Sequence, residues 1–302
     1  MGKVGLCFVN PVPQIQPGFV SAMAKKCEEL GLDSFWSIDR IAYDNLEPLT
    51  LLATAAAVTK RIRLGTSVFL PAVRHPAIVA KTVASLDFLS GGRVTMGIGF
   101  GSRPNDFSAV GLPFEGRGSR AEEAIKLIRR LWTEDNVTHQ GRFFQVTNLT
   151  IGPRPIQSPH PPIWMGGSAD TALKRTARLA TGYICSSSAI QEFHSVWQKI
   201  EGFAKAAGRN AAEIEKACLT FMVIDDNKAK AIEACEAYVK RYYGTVRMDV
   251  EKLLLVGSAE ACAERIQATF AKGIQTLIIG VALADLKQVD LFGEKVLPLV
   301  KA

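Results

Sequence analysis

The chain has 302 residues, 48% of them apolar, and a formal charge of +7. That length fits two ordinary domains or one α/β barrel. No Pro/Ser/Gly-rich linker or charge run divides the sequence, so a single domain over residues 1–302 is expected. No apolar run reaches the roughly 18 residues of a membrane span, and Met1-Gly2-Lys3-Val4 opens no secretory pattern. A cytoplasmic protein is expected. The Lys and Arg residues are interspersed with Glu and Asp and form no basic cluster with aromatics. That argues against nucleic acid and for a pull on an anionic cofactor or substrate. Cys7, Cys27, Cys185, Cys218, Cys235 and Cys262 include no C-x-x-C pair and read as reduced thiols, most of them core filler.

In chain order, Val4–Val9 reads as a strand and Phe19–Leu30 as an amphipathic helix stopped by Gly31. Ser34–Ile38 is the second strand, and Pro48–Val58 a helix opened by its proline. Ile62–Val68 is the third strand; His75-Pro76 starts a helix running to about Phe88. The Gly91-Gly92 pair ends that helix, because glycine reaches positive φ at no steric cost. Val94–Ile98 is the fourth strand and Arg120–Trp132 the next helix. Residues 135–161 break the rhythm as a short insertion, with a hairpin over Val137–Gln145 and an extended loop.

The alternation resumes with Ile163–Met165, Gly182–Cys185, Ala217–Val223 and Thr276–Ile279 as strands. Helices over Ala169–Leu179, Phe193–Ala207, Ala229–Tyr243, Ser258–Ala271 and Asp290–Val300 lie between and after them. Eight continuously apolar strands alternating with helices predict an α/β fold, a closed (β/α)₈ TIM barrel. An open doubly wound sheet is the alternative, weakened because no G-x-G-x-x-G follows the first strand.

In such a barrel the working residues sit at the carboxyl ends of the strands. Those positions are Asn10, Asp39-Arg40, Ser67–Leu70, Gly99–Asn105, Gly166–Ser168, Ser186–Ser188, Ile224–Asp226 and Gly280. Gly99 and Gly101 either form a tight turn or let backbone approach a flat ligand. At Trp164-Met165-Gly166-Gly167-Ser168-Ala169-Asp170-Thr171 a glycine turn opens a helix. Its free N–H groups, with the Ser168 and Thr171 hydroxyls, suit a phosphate, although Ser168 would serve equally as a cap. His75, His139, His160 and His194 form no metal-ligating pair, and no Gly-x-Ser-x-Gly elbow is present, so no metal is expected. Chemistry without its own nucleophile or metal points to a borrowed cofactor.

Several strings carry a resemblance: Ile62-Arg63-Leu64-Gly65-Thr66-Ser67-Val68, Arg74-His75-Pro76, Leu86-Asp87-Phe88-Leu89-Ser90-Gly91-Gly92-Arg93 and Pro161-Pro162-Ile163-Trp164-Met165-Gly166-Gly167. Together with Leu255-Val256-Gly257-Ser258-Ala259-Glu260 they resemble the luciferase-like flavin and deazaflavin oxidoreductases, nearest to the methylenetetrahydromethanopterin reductases. The resemblance implies a homodimeric barrel that binds coenzyme F420 or, alternatively, FMN, and acts on a small organic molecule. It places Ser67-Val68 in a strand-three bulge with a non-proline cis peptide behind the ring. It sets Asp39 and Asn105 against a deazaflavin, with Gly99 and Gly101 bordering it and Gly166, Gly167, Ser168 and Thr171 at its phosphate. Phe100 stands where luciferases carry a phosphate-binding arginine, which leans towards F420. Arg40 replaces the histidine common after the strand-two aspartate, and Ser102 replaces the glutamate of the sugar-phosphate dehydrogenases. Asp39 and Arg40 are therefore expected at the redox centre without a sugar-oxidising acid–base pair. Arg40 would bind an anionic substrate or stabilise negative charge on the reduced ring, or else pair with Asp44 or Glu47 and only hold its loop. An FMN-dependent monooxygenase, with residues 135–161 or Gly244–Asp249 as a lid, and a non-catalytic flavin-binding barrel are the rival readings.

Overall fold

Apolar residues face both ways along the main strands, so each strand demands a packed layer on either side. The computed structural model, which describes residues 2–11, 14–246 and 248–301, meets that demand with a closed barrel. In chain order it begins with β1 (Lys3–Phe8), α1 (Phe19–Glu29), β2 (Ser34–Ser37), α2 (Pro48–Val58), β3 (Arg63–Thr66), α3 (Pro76–Ser90) and β4 (Val94–Ile98). A short α4 (Pro104–Ser108), α5 (Arg117–Thr133) and the hairpin β5 (Val137–Gln140) and β6 (Gln145–Leu149) follow. The second half runs β7 (Ile163–Gly166), α6 (Asp170–Leu179), β8 (Gly182–Ser186), α7 (Phe193–Ala206), β9 (Glu215–Ile224), α8 (Lys228–Tyr243) and α9 (Val250–Leu253). It ends with β10 (Leu255–Gly257), α10 (Ala259–Ala271), β11 (Thr276–Val281), α11 (Leu286–Leu291) and α12 (Leu297–Lys301).

The strand order β1-β2-β3-β4-β7-β8-β9-β11 closes through parallel pairing of β11 with β1, which excludes an open sheet. Inside, Trp36 and Trp164 lie with ring centroids 5.3 Å apart. Glycines make room for them: a Cβ on Gly65 would sit 2.2 Å from the Trp36 ring, and one on Gly182 2.4 Å from Trp164. Larger residues there would collide with a tryptophan already at close packing.

Helix starts follow the sequence signals. Glu47 accepts from Thr50 N–H ahead of Pro48, His75 Nδ1 accepts from Ala77 N–H, and Ser258 accepts from Ala261 N–H. His75 is thus an N-cap. The differences are local. α5 starts at Arg117 rather than Arg120, and the five-residue α4 is too short to show a helical period. β10 adds a strand that pairs with Met222–Ile224, the end of β9 beyond the reach of β8. The expected final helix is broken at Phe292–Val296 into a π-helical turn.

The last part of the insertion is tied to the barrel wall. The Asp87 carboxylate, buried on α3, accepts from Ile156 N–H, Gln157 N–H and Gln157 Nε2, and Gln157 also donates to the Val94 carbonyl. Lys81 donates to the Gly152 carbonyl. These bonds fasten residues 152–157 to α3 and the amino end of β4, whereas the hairpin turn packs by the start of α3, with Phe144 5.8 Å from His75. All six cysteines are free and buried. Burial pushes the Cys27, Cys235 and Cys262 thiols up to about 12 and holds them unreactive. Among the described residues no helix is long and apolar enough to cross a membrane, and no cluster of acidic, His and Cys side chains suits a metal.

Candidate active site

The carboxyl end of β3 carries an irregularity that can be counted from the register. Gly65 pairs with Thr95, whereas Phe69 bridges Ile98, so β3 advances four residues while β4 advances three. The extra residue is a bulge. It contains the cis peptide Ser67-Val68. Ser67 N–H donates to the Ser37 carbonyl at 2.8 Å, and Phe69 N–H to that of Gly97 at 2.7 Å, so both neighbouring strands hold the bulge in place. The Ser67 hydroxyl is buried and has no hydrogen-bond partner among the described residues. Val68 points at the two flanking strand ends: a Cβ on Gly99 would lie 2.3 Å from its Cγ2, and one on Gly166 3.5 Å from its Cγ1. Gly99 is therefore required by the bulge itself. Gly101 needs its positive φ of 75°, and a Cβ there would press into Phe107 at 2.7 Å.

Around the barrel, β7 ends in Gly166, and Gly167 turns the chain at φ 118° into α6. Gly167, Ser168 and Thr171 are exposed. The N-cap is Ala169, with no side-chain cap bond, so Ser168 does not close this helix. The first-turn N–H groups of α6 consequently face solvent beside two hydroxyls, with the positive end of the helix dipole behind them. Phe100 borders this end of the site and lies under the Arg175 guanidinium at 5.2 Å.

Asp39 and Arg40, adjacent at the end of β2, diverge. The Asp39 carboxylate accepts from Arg74 Nη1 at 2.6 Å, Arg74 Nη2 at 3.0 Å and Leu70 N–H at 2.9 Å, with none of its side chain exposed. Burial raises its carboxyl above the usual range, while Arg74 and the Leu70 N–H pull the other way. Asp39 thus ties β2 to the loop that follows the bulge. Arg40 turns instead to Asp106, its Nε donating at 2.6 Å, with the two side chains 5% and 2% exposed. The other Asp106 oxygen accepts from Ile41 and Ala42 N–H, both at 2.9 Å. Arg40 Nη2 approaches Asn105 Oδ1 at 3.5 Å, so Asn105 borders the same corner. The alternative partners are otherwise engaged: Asp44 pairs with Arg241, and Glu47 with Arg74.

Asp106 is a residue that the sequence reading missed. Its only signal was proximity to Asn105, because α4 has no period to reveal it. A second omission is the aromatic cluster over β9. Tyr242 on α8 lies 5.4 Å from Tyr43 and 5.9 Å from Tyr238, and Tyr238 packs 5.0 Å from Phe221. The guanidiniums of Arg40 and Arg103 lie 5.9 Å and 4.8 Å from the Tyr242 ring. The structure therefore gathers the predicted residues into two groups. Ser67, Val68, Gly99, Phe100, Gly101, Gly166, Gly167, Ser168 and Thr171 run from β3 to α6, and Arg40 and Asn105 form a corner under Tyr242. Of the two proposed lids, the hairpin turn of residues 135–161 packs beside His75 and Gly116, and the segment beginning at Gly244 contains Arg247, which lies outside the described residues.

A family model described as luciferase-like monooxygenase matches residues 8–276. The chain belongs to that family. A 5,10-methylenetetrahydromethanopterin reductase of Methanopyrus kandleri is 27% identical, over 97% of this chain and 98% of the reductase. A solved structure of the coenzyme F420-dependent tetrahydromethanopterin reductase from that organism superposes with a TM-score of 0.82 at 25% identity, covering 98% of this chain and 99% of the other. An F420-dependent glucose-6-phosphate dehydrogenase of Kineococcus radiotolerans is 34% identical over 73% of this chain and 68% of its own. An FMNH₂-dependent dimethylsulfone monooxygenase of Pseudomonas putida is 27% identical over 84% of this chain and 78% of its own. The family membership makes this chain an oxidoreductase.

Proposed function

We propose that the protein passes hydride between bound coenzyme F420 and a small organic substrate. The observation that carries this reading is the β3 bulge. It leaves a buried Ser67 hydroxyl in want of a partner, as a flat, hydrogen-bonding ring would supply. The dehydrogenase and the reductase named for F420 among the relatives support the deazaflavin over FMN. Phe100 supports it too, being apolar where the resemblance to luciferases expects a phosphate-binding arginine.

When bound, F420 supplies the two-electron redox centre. Ser67, Val68, Gly99, Gly101 and Asn105 would border its ring, and Gly166, Gly167, Ser168, Thr171 and the α6 N–H groups would hold its phosphate. Asp39 acts through Arg74 and Leu70, fixing the loop behind the ring. Arg40 keeps a positive head at the mouth, where it favours charge developing on the reduced ring. Expression in a host that makes both cofactors tests the assignment: the mass and absorbance of the copurified ligand should be those of F420. Copurified FMN would favour the monooxygenase.

We also propose that two copies pair through α2 and α3. The exposed residues of α2, such as Thr50, Thr54 and Ala57, are small and uncharged, and α3 exposes Ile78 at 67%, Phe88 at 57% and Leu89 at 72%. The exposed charge of α3, Lys81, is folded onto Gly152. Such a face has neither the charge that keeps a surface solvated nor like charges to repel a second copy. Ile78→Asp with Leu89→Asp is expected to halve the mass measured by light scattering. An unchanged mass would place the contact elsewhere.

A further inference from the structure

We propose that the mouth between β2, β4 and α8 binds a carboxylate on the substrate, held by the Arg103 guanidinium and the Tyr43 and Tyr238 hydroxyls. The inference rests on the hydride-transfer reading and names the substrate class that this site accepts. It begins from charge. Three carboxylates on this side of the mouth already face a cation: Asp39 faces Arg74, Asp106 faces Arg40, and Asp44 faces Arg241. Arg103 forms no ion pair among the described residues. Its Nη2 donates to the Tyr242 carbonyl at 3.0 Å, and its guanidinium lies over Tyr242 at 4.8 Å and Tyr243 at 5.1 Å. The head is therefore positioned and half-buried, with Nε and Nη1 still to be satisfied.

The hydroxyls of Tyr43 and Tyr238 point to the same need. Both are buried without a hydrogen-bond partner among the described residues, and Tyr238 as a whole is only 6% exposed. Both rings and the Arg103 guanidinium adjoin the one Tyr242 ring. Burial raises the Tyr238 phenol well above its ordinary value, so it remains a donor at neutral pH. One free guanidinium cation and two hydroxyls able to donate suit an anion. A carboxylate presents two oxygens able to accept from all three, and charge-assisted bonds in so sheltered a place are the strong kind. The Phe221 and Tyr242 faces offer apolar cover for the rest of a small planar molecule.

The test uses the cofactor-loaded protein and two probes of one shape, benzoate and benzyl alcohol, measured by titration calorimetry. Benzoate should bind at least about tenfold more tightly. Arg103→Gln should bring the two within about twofold, Arg103→Lys should keep part of the preference, and Tyr238→Phe should weaken benzoate about fivefold. Equal binding of both probes to the parent protein would overturn the proposal, as would a preference that survives Arg103→Gln. Cofactor affinity, measured on the same preparations, separates the two claims. Failure to bind either F420 or FMN counts against hydride transfer, whereas normal cofactor binding with no preference for benzoate counts against the carboxylate site alone.

Discussion

Arg40→Ala is expected to destabilise the protein by about 3–5 kcal/mol, because it leaves the Asp106 carboxylate buried without its counter-charge. The pair is almost fully enclosed, and the Ile41 and Ala42 N–H groups, which Asp106 still holds, neutralise its charge only in part. Replacing both partners, Arg40→Met with Asp106→Leu, should restore only part of that stability, since the apolar pair needs no counter-charge but the Ile41 and Ala42 N–H groups lose their acceptor. Turnover separates the structural from the catalytic share. If the Arg40 head also favours charge on the reduced cofactor, the double variant should fold like the parent yet turn over about a hundredfold more slowly, near 2.7 kcal/mol. Urea denaturation and turnover measured on the same samples decide it. An Arg40→Ala protein as stable as the parent would contradict the buried-pair account, and a fully active double variant would leave Arg40 a purely structural role.

Gly167→Val is expected to lower cofactor affinity at least tenfold, about 1.4 kcal/mol. Two effects combine. The residue sits at φ 118°, where a β-branched side chain is strained, and an added Cβ would stand 3.0 Å from the Ala172 Cβ. The turn into α6 must then shift, carrying the N–H groups away from a phosphate. Ser168→Ala should cost much less, because the backbone donors remain and Ser168 caps nothing. Circular dichroism controls for folding. Normal cofactor affinity in a folded Gly167→Val protein would place the phosphate elsewhere.

The barrel was legible because its signals are local: glycine stops, proline and serine helix starts, and apolar runs of strand length. The string Leu86–Arg93, the densest part of the resemblance, is largely scaffold. Asp87 fastens the insertion, Gly91 caps α3 at φ 72°, and Arg93 donates to carbonyls at the ends of α2 and α3. The strand-end rule found Ser67, Val68, Arg40 and the glycines, since the fold puts those positions at one mouth whatever their identity. What it could not reach depends on contacts distant in sequence. Asp106 meets Arg40 across 66 positions, and Tyr238 and Tyr242, four apart on α8, read as an ordinary buried helix face. Gly99 was legible as a glycine position, but the reason lies in Val68, which takes the space of its missing side chain.

A competitive titration followed by ring fluorescence measures directly which cofactor the β3 bulge accepts. F420 should bind in the micromolar range or tighter, near −8 kcal/mol, and displace FMN from the same site. Stoichiometric FMN binding that F420 does not displace would contradict the account.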